Sequence, residues 1–420
     1  MPIRALVLFF SVVRVCAEIP ECCCTKETVE TTNAAFTDIL DRLRATTFFR
    51  IFKVSLNENC QFWSNPKTCS QPTCAVCACE ENEVPSPWLS EQQGRLVTKA
   101  PGLFDFVNRT LESEFLEWEQ DDDDWIVQSP NSKMSYINLA INPHTDTGYS
   151  GEGPRRIWEA IHGQNCFDAS DDQYQELCLE GKVFFRLISG LRSCVTAHVS
   201  GNYISANQQI KPNLQLFQKS LGDHPDRLDS LYFVFVFLVR AVHKARQALL
   251  DFDYNTGNPE EDLYVSRLIE ELMEQPMIRS CPASEWFDES ALFEGNPLHP
   301  QIAQYKAHFR NISLILDCVE CEKCQLYGKL QVLGIGTALK IMFAKQSPMP
   351  PDAFQRNEII ALVMTLAQFS DGLHIIQSFQ QSERSFRVSG ALSIFSLCLF
   401  GVFCFRRCRT SSSIPHSKRQ

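Results

Sequence analysis

The spacing of the cysteines gives the first chemical signal. Three stand as Cys318-x2-Cys321-x2-Cys324 at the head of an apolar segment. A second group reads Cys69-x4-Cys74-x2-Cys77-x-Cys79, with Cys60 upstream. In Cys321-Glu-Lys-Cys324 the two sulfurs fall at i and i+3 beside an expected helix N-terminus. The helix dipole and exposed N–H groups there stabilise a thiolate, and a lowered thiol pKa is what thiol–disulfide exchange requires. The same spacing suits a zinc site drawing four thiolates from the two clusters, and it suits plain structural disulfides. An iron–sulfur centre is a poorer match, because the run lacks the x3-Cys-Pro completion. A thioredoxin-like module is disfavoured, since its strand–helix context is missing around Cys321-x2-Cys324. On spacing alone, redox exchange, structural bridging and zinc all stay open.

The two ends of the chain bear on that choice. Residues 1–17, MPIRALVLFFSVVRVCA, place Arg4 before an apolar run and small or neutral residues at Val15-Cys16-Ala17, the pattern of a secretory signal. Near the other end, residues 388–405, VSGALSIFSLCLFGVFCF, carry no charge. At about 1.5 Å per residue they reach roughly 27 Å as a helix, enough for an endoplasmic reticulum bilayer. The tail 406–420 holds five Lys or Arg and no acid, so the expected topology is single-pass type I with the tail cytoplasmic. Residues 18–387 would then face an oxidising lumen, where disulfides are the default for cysteine. Sequons at Asn108 and Asn311 agree with that side of the membrane.

The 420 residues are 44% hydrophobic, enough to build a large core. Lys+Arg of 39 against Asp+Glu of 50 leaves a net charge of −11, which disfavours sequence-independent nucleic-acid binding. Helical periodicity is expected over 30–56, 102–120, 155–162, 181–205, 226–250, 260–274, 299–316, 325–345 and 353–379. No alternating strand pattern persists, so the body reads as mainly α. Leu231–Val239, LYFVFVFLV, is too short to cross a bilayer and is expected to be a core helix flanked by Arg227 and Arg240.

Several of these segments together resemble one family, the endoplasmic reticulum oxidoreductins. The most specific is Cys318-Val-Glu-Cys321-Glu-Lys-Cys324-Gln-Leu-Tyr-Gly-Lys-Leu-Gln with Gly334-Ile-Gly336 behind it. Thr147-Gly-Tyr149 with Arg156-Ile-Trp158 and Asn165-Cys166-Phe167, then Phe185-Arg-Leu-Ile-Ser189-Gly-Leu, and Arg227 to Arg240 follow in family order. The likeness runs from about residue 22 to 380. It implies a single large, mainly helical domain with a helical-bundle core enclosing FAD. It also implies oxidation of protein disulfide isomerase, with electrons passing to FAD and molecular oxygen and hydrogen peroxide released. Carried over by position, Cys321 and Cys324 resemble the inner active pair, and Cys69 and Cys74 the outer shuttle pair. Cys60 with Cys318, and Cys166 with Cys178, match structural bridges. Thr147, Trp158, Ser189, Arg192, Arg227 and Arg240 match flavin-binding positions, with no metal required. Trp158 would stack on a flat ring system, and the arginines would pair with the pyrophosphate.

The chain also departs from the family pattern. Thr145 stands where the family usually has Arg, and Arg192 where it usually has His. No cysteine lies between Cys79 and Cys166, so Cys79 becomes the nearest expected partner for a silencing bridge to Cys74. The rival from a different class is a non-enzymatic type I membrane ectodomain with structural disulfides or a zinc site.

Overall fold

The computed structural model describes residues 26–60, 62, 74–89, 133–143, 157–158, 160–161, 178–204, 209–279, 289–295, 300–344 and 348–382. The expected signal segment, the span 388–405 and the tail 406–420 lie outside them, as does the expected helix 102–120. The chain divides into two compact units, 1–373 and 374–420.

Helices dominate. Helix α1 is Lys26–Ala45; two short strands follow, β1 at Ile51–Val54 and β2 at Ser135–Asn138. Helix α2 is Leu179–Gly201, and the two-residue strands β3 (Tyr203–Ile204) and β4 (Ile210–Lys211) form a hairpin after it. Helices α3 (Pro225–Lys244), α4 (Pro259–Met273), α5 (Pro300–Ile315), α6 (Glu322–Met342) and α7 (Arg356–Ser382) complete the order. Local signals account for several boundaries. Asn258 caps α4 by accepting from the N–H groups of Glu260 and Glu261. Pro259 follows at the first helical position, and three acids fill the first turn. Proline also opens α3.

Leu231 through Val239 in α3 are all buried, with the charged flanks outside that run, so the segment is a core helix. Helix α7 is long and apolar enough to cross a membrane by length and composition, yet most of its apolar window is buried against the protein. Two close approaches lock the bundle. A Cβ at Gly190 of α2 would stand 2.5 Å from Val234 Cγ2 of α3. A Cβ at Gly334 of α6 would stand 2.5 Å from the carbonyl oxygen of Ala361 in α7. Only a residue without Cβ lets these backbones approach so closely.

The expected helix over 30–56 ends early. A short helical turn, Thr47–Arg50, leads directly into β1, which pairs antiparallel with β2 in register Ile51–Asn138 through Val54–Ser135. Ile51, Phe52 and Val54 are buried and only Lys53 is partly exposed, so the strand shows no clean alternation. One edge of this small sheet is closed by the start of α7. The Asn357 side-chain amide donates to the Lys53 carbonyl at 2.5 Å, and its oxygen accepts from the Lys53 N–H at 3.2 Å. Arg356 donates to the Ile51 carbonyl and lies over the Trp88 ring, 4.1 Å from its centroid. The other edge, on β2, faces the cysteine site.

Candidate active site

Cys321 is the N-cap of α6. Its Sγ accepts from the Cys324 N–H at 3.4 Å, which places Cys324 in the first helical turn. Sulfur is a weak acceptor, but the geometry is that of an ordinary N-cap, and both sulfurs sit at the positive end of a 21-residue helix. Just upstream, Cys318 closes a 3-10 turn and is disulfide-bonded to Cys60, with Cα atoms 4.4 Å apart.

Cys321 is bonded to Cys74 across 247 residues, with Cα atoms 5.0 Å apart. Cys324 keeps its thiol. In this structure Cys74 is therefore joined to the C-x2-C group and not to its neighbour Cys69, which lies outside the described residues. One member of the expected outer pair is bonded to one member of the expected inner pair. The physical reason is backbone docking. The Lys323 N–H, an otherwise unsatisfied donor at the head of α6, donates to the Cys74 carbonyl at 3.0 Å. The Val76 N–H donates to Glu322 Oε2 at 2.8 Å. Cys77 is held at both backbone groups by the Asn142 amide, at 2.8 and 2.9 Å. Cys79 N–H donates to the Tyr136 carbonyl at 2.8 Å, and Ala78 forms an antiparallel bridge with Ile137. Ala78 and Cys79 thus lie along the open edge of β2, while Cys74 and Val76 are held at the head of α6. Tyr327, one turn beyond Cys324 on α6, ties the two sides together by donating to the Asn142 carbonyl at 2.8 Å.

The remaining thiols differ in reactivity. Cys79 is free in this structure, and burial together with the Glu83 charge raises its pKa. Cys77 is a free, exposed thiol. Cys194 on α2 is fully buried, donates toward the Gln368 carbonyl, and burial pushes its pKa far up. Cys178 is also a free thiol here and caps α2 through Gly181. Its expected partner Cys166 lies outside the described residues.

A second constellation gathers on α2 and α3. Ser189 is buried, and Arg192 follows one turn later with its guanidinium 5.7 Å from the Trp158 ring centroid. Burial, and then the Arg227 charge beside it, lower the Arg192 pKa. Two cations in mutual repulsion at a partly buried position, next to an aromatic ring, form a donor set suited to an anion with a flat ring system. Arg227 also donates to the Ser220 carbonyl at 2.7 Å. Arg240, at the other end of α3, makes a two-point contact with the Glu289 carboxylate at 3.2 Å for each bond, and Lys244 shares that carboxylate at 3.0 Å. Burial raises the Glu289 pKa, but the Arg240 hydrogen bond and the two positive charges outweigh it and hold the group below the usual carboxylate value. Thr147 lies outside the described residues. Of the two sequons, Asn108 does too, while Asn311 is partly buried inside α5 with Ser313 buried beside it, a poor position for a glycan.

Sequence reasoning missed Glu322, Asn142, Tyr327 and Glu289. Glu322 and Tyr327 lie inside the cysteine motif and could have been weighed there. Asn142 and Glu289 carry no local signal.

Comparison with known proteins bears on what this site does. A family model described as Endoplasmic Reticulum Oxidoreductin 1 (ERO1) matches residues 35–376. Endoplasmic reticulum oxidoreductin-1 of Arabidopsis thaliana is 38% identical over 380 residues, covering 85% of this chain and 78% of that protein. ERO1-like protein alpha of Mus musculus is 31% identical, covering 86% of this chain and 89% of that protein. Among solved structures, Ero1p, described as a source of disulfide bonds for oxidative protein folding in the cell, matches in fold. Its TM-score is 0.60 at 22% identity, over 86% of this chain and 99% of that one. With the C-x2-C group on a capped helix, a cysteine from a second segment bonded to it, and a family match over most of its length, the chain belongs to the endoplasmic reticulum oxidoreductins, thiol oxidoreductases that form disulfides in oxidative protein folding.

Proposed function

We propose that this chain is an FAD-dependent thiol oxidase that reoxidises protein disulfide isomerase at the lumenal face of the endoplasmic reticulum membrane. The observation that carries the reading is the Cys74–Cys321 disulfide with Cys324 still a thiol. That is the species expected midway through transfer between an outer pair, Cys69 and Cys74, and an inner pair, Cys321 and Cys324. In that relay the Cys74 thiolate attacks Cys321 Sγ, and the electron pair of the broken Cys321–Cys324 bond leaves on Cys324. The Cys69 thiolate then attacks Cys74 Sγ, which restores the outer disulfide and releases Cys321. The outer dithiol has lost two electrons and two protons, and the inner disulfide has gained them. The head of α6 stabilises the leaving thiolate on Cys324.

Trp158, Ser189, Arg192, Arg227 and Arg240 would hold FAD, with Thr147 as a further expected contact. The bound flavin supplies two-electron acceptance and reactivity toward molecular oxygen. The protein's part is placement and charge: Arg192 and Arg227 gain an anionic partner that relieves their repulsion. The zinc alternative is disfavoured because Cys60, Cys318, Cys74 and Cys321 are consumed in two disulfides and offer no thiolates. The signal at 1–17 and the uncharged stretch 388–405 support a type I anchor with the enzyme lumenal.

The test is the absorption spectrum and oxygen uptake of the purified lumenal body. A yellow protein that consumes oxygen and releases peroxide with reduced protein disulfide isomerase is the expected result. A colourless protein with stoichiometric zinc overturns the reading.

A further inference from the structure

The relay has a selectivity problem. A disulfide offers an incoming thiolate two sulfurs, and only attack at Cys321 leaves Cys324 as the released thiolate. We infer that Glu322 and Asn142 are positioning residues that set this choice, by clasping the backbone of the shuttle segment in one register beside the head of α6. The inference rests on the relay reading above and adds to it the two side chains that aim the attack.

Three observations carry it. First, the stretch just after Cys74 is read entirely through its backbone. Val76 N–H goes to the Glu322 carboxylate at 2.8 Å, and Cys77 N–H and C=O go to the two ends of the Asn142 amide. A two-point amide contact fixes both position and direction of a chain, as one rung of a sheet does. Second, the receiving groups are themselves fixed. Asn142 is buried at 1% exposure, its second amide hydrogen goes to the Asn138 carbonyl at 2.9 Å, and its own carbonyl accepts from Tyr327 of α6. Glu322 is the first residue of α6, directly between Cys321 and Lys323. Third, the register these contacts impose continues at Ala78 and Cys79 along β2. It ends, on the other side, at the Lys323 N–H to Cys74 carbonyl bond. With Cys74 O pinned to Lys323 N, the Cys74 sulfur falls on the N-cap residue Cys321, and Cys324 lies one helical turn further on.

Neither side chain is a sulfur, and Glu322 is exposed, so its loss leaves the core intact. The disulfide map of a trapped intermediate reads the effect directly. In a Cys69→Ser background the second attack is blocked, and Cys74–Cys321 should accumulate when the inner pair is oxidised. Trypsin cleaves after Lys323 and so separates Cys321 from Cys324 into different peptides.

Adding Glu322→Ala or Asn142→Ala to that background should lower the Cys74–Cys321 yield about tenfold, the scale of one charge-assisted or two-point hydrogen bond. Part of the signal should move to Cys74–Cys324. Glu322→Gln, which keeps an acceptor, should recover most of it. In chains with Cys69 intact, the ratio of turnover on reduced protein disulfide isomerase to turnover on a small dithiol should fall by a similar factor. An unchanged disulfide map in both variants, or equal loss on both substrates, overturns the assignment. No Cys74–Cys321 species in the Cys69→Ser parent would remove the relay itself. A melting temperature for each variant separates Asn142→Ala unfolding from mispositioning, and Glu322→Ala stands as the variant outside the core.

Discussion

Arg240 presents two of its nitrogens to the two carboxylate oxygens of Glu289, each at 3.2 Å, and Lys244 closes on the same carboxylate from one turn further along α3. Glu289 therefore holds in place, before any ligand arrives, the guanidinium expected to meet a pyrophosphate.

Its pH behaviour follows. Glu289 has a folded pKa below its ordinary value, so its stabilising effect is complete above the unfolded carboxylate range and is lost as pH falls through the depressed folded value. Glu289→Gln should cost about 1.5–3 kcal/mol near neutrality, the range for a hydrogen bond to a charged group. The melting-temperature difference between the two proteins should shrink on acidification below about pH 4. A difference that stays constant with pH would contradict the ion pair.

Gly334→Ala should destabilise by overpacking α6 against Ala361 and Thr365 of α7, at about 1–3 kcal/mol. Thermal unfolding measures it. Gly328 lies on the same helix with only the flexible Leu316 side chain near its Cβ position, at 3.2 Å, and serves as the control. Gly328→Ala should cost less.

Cys324→Ala should bind flavin normally and consume no oxygen with any thiol, small or protein. Cys324 sits in the first turn of α6 and is not among the α2–α3 residues expected to hold the ring system, so its loss removes the electron donor and leaves those residues unchanged. Turnover of the variant with dithiothreitol would remove Cys324 from the inner pair.

Cys69→Ala combined with Cys74→Ala should abolish oxidation of reduced protein disulfide isomerase. A small, strong dithiol reaching Cys321 and Cys324 directly should still be oxidised. Parallel loss with both substrates would make the outer cysteines structural.

Much of this was legible in the chain. LYFVFVFLV between two arginines announces a buried helix because nine apolar residues leave no polar face for water. The three-cysteine run marks a helix head because a short polar tripeptide precedes a long apolar stretch. The β1–β2 sheet was not legible: it is four residues long, buried at three of them, and its partner strand begins 81 residues after Val54. The Cys74–Cys321 bond was hidden for a related reason. Spacing favours the neighbour five positions away, whereas the observed bond is set by hydrogen bonds from Asn142, Glu322 and β2. These are tertiary contacts between segments far apart in sequence, and no local pattern encodes them.

The Cys60–Cys318 bridge fixes one end of a short leash. Cys74 follows Cys60 by fourteen residues, and Cys318 is three residues from Cys321. Fourteen fully extended residues span at most about 50 Å, and the bridge with the three residues to Cys321 adds about 15 Å, so Cys74 stays within about 65 Å of the inner pair. Confinement on this scale corresponds to an effective concentration in the millimolar range. In the proposed relay, transfer between the pairs would then be first-order in enzyme, insensitive to dilution, and protected from competing thiols present at lower concentration.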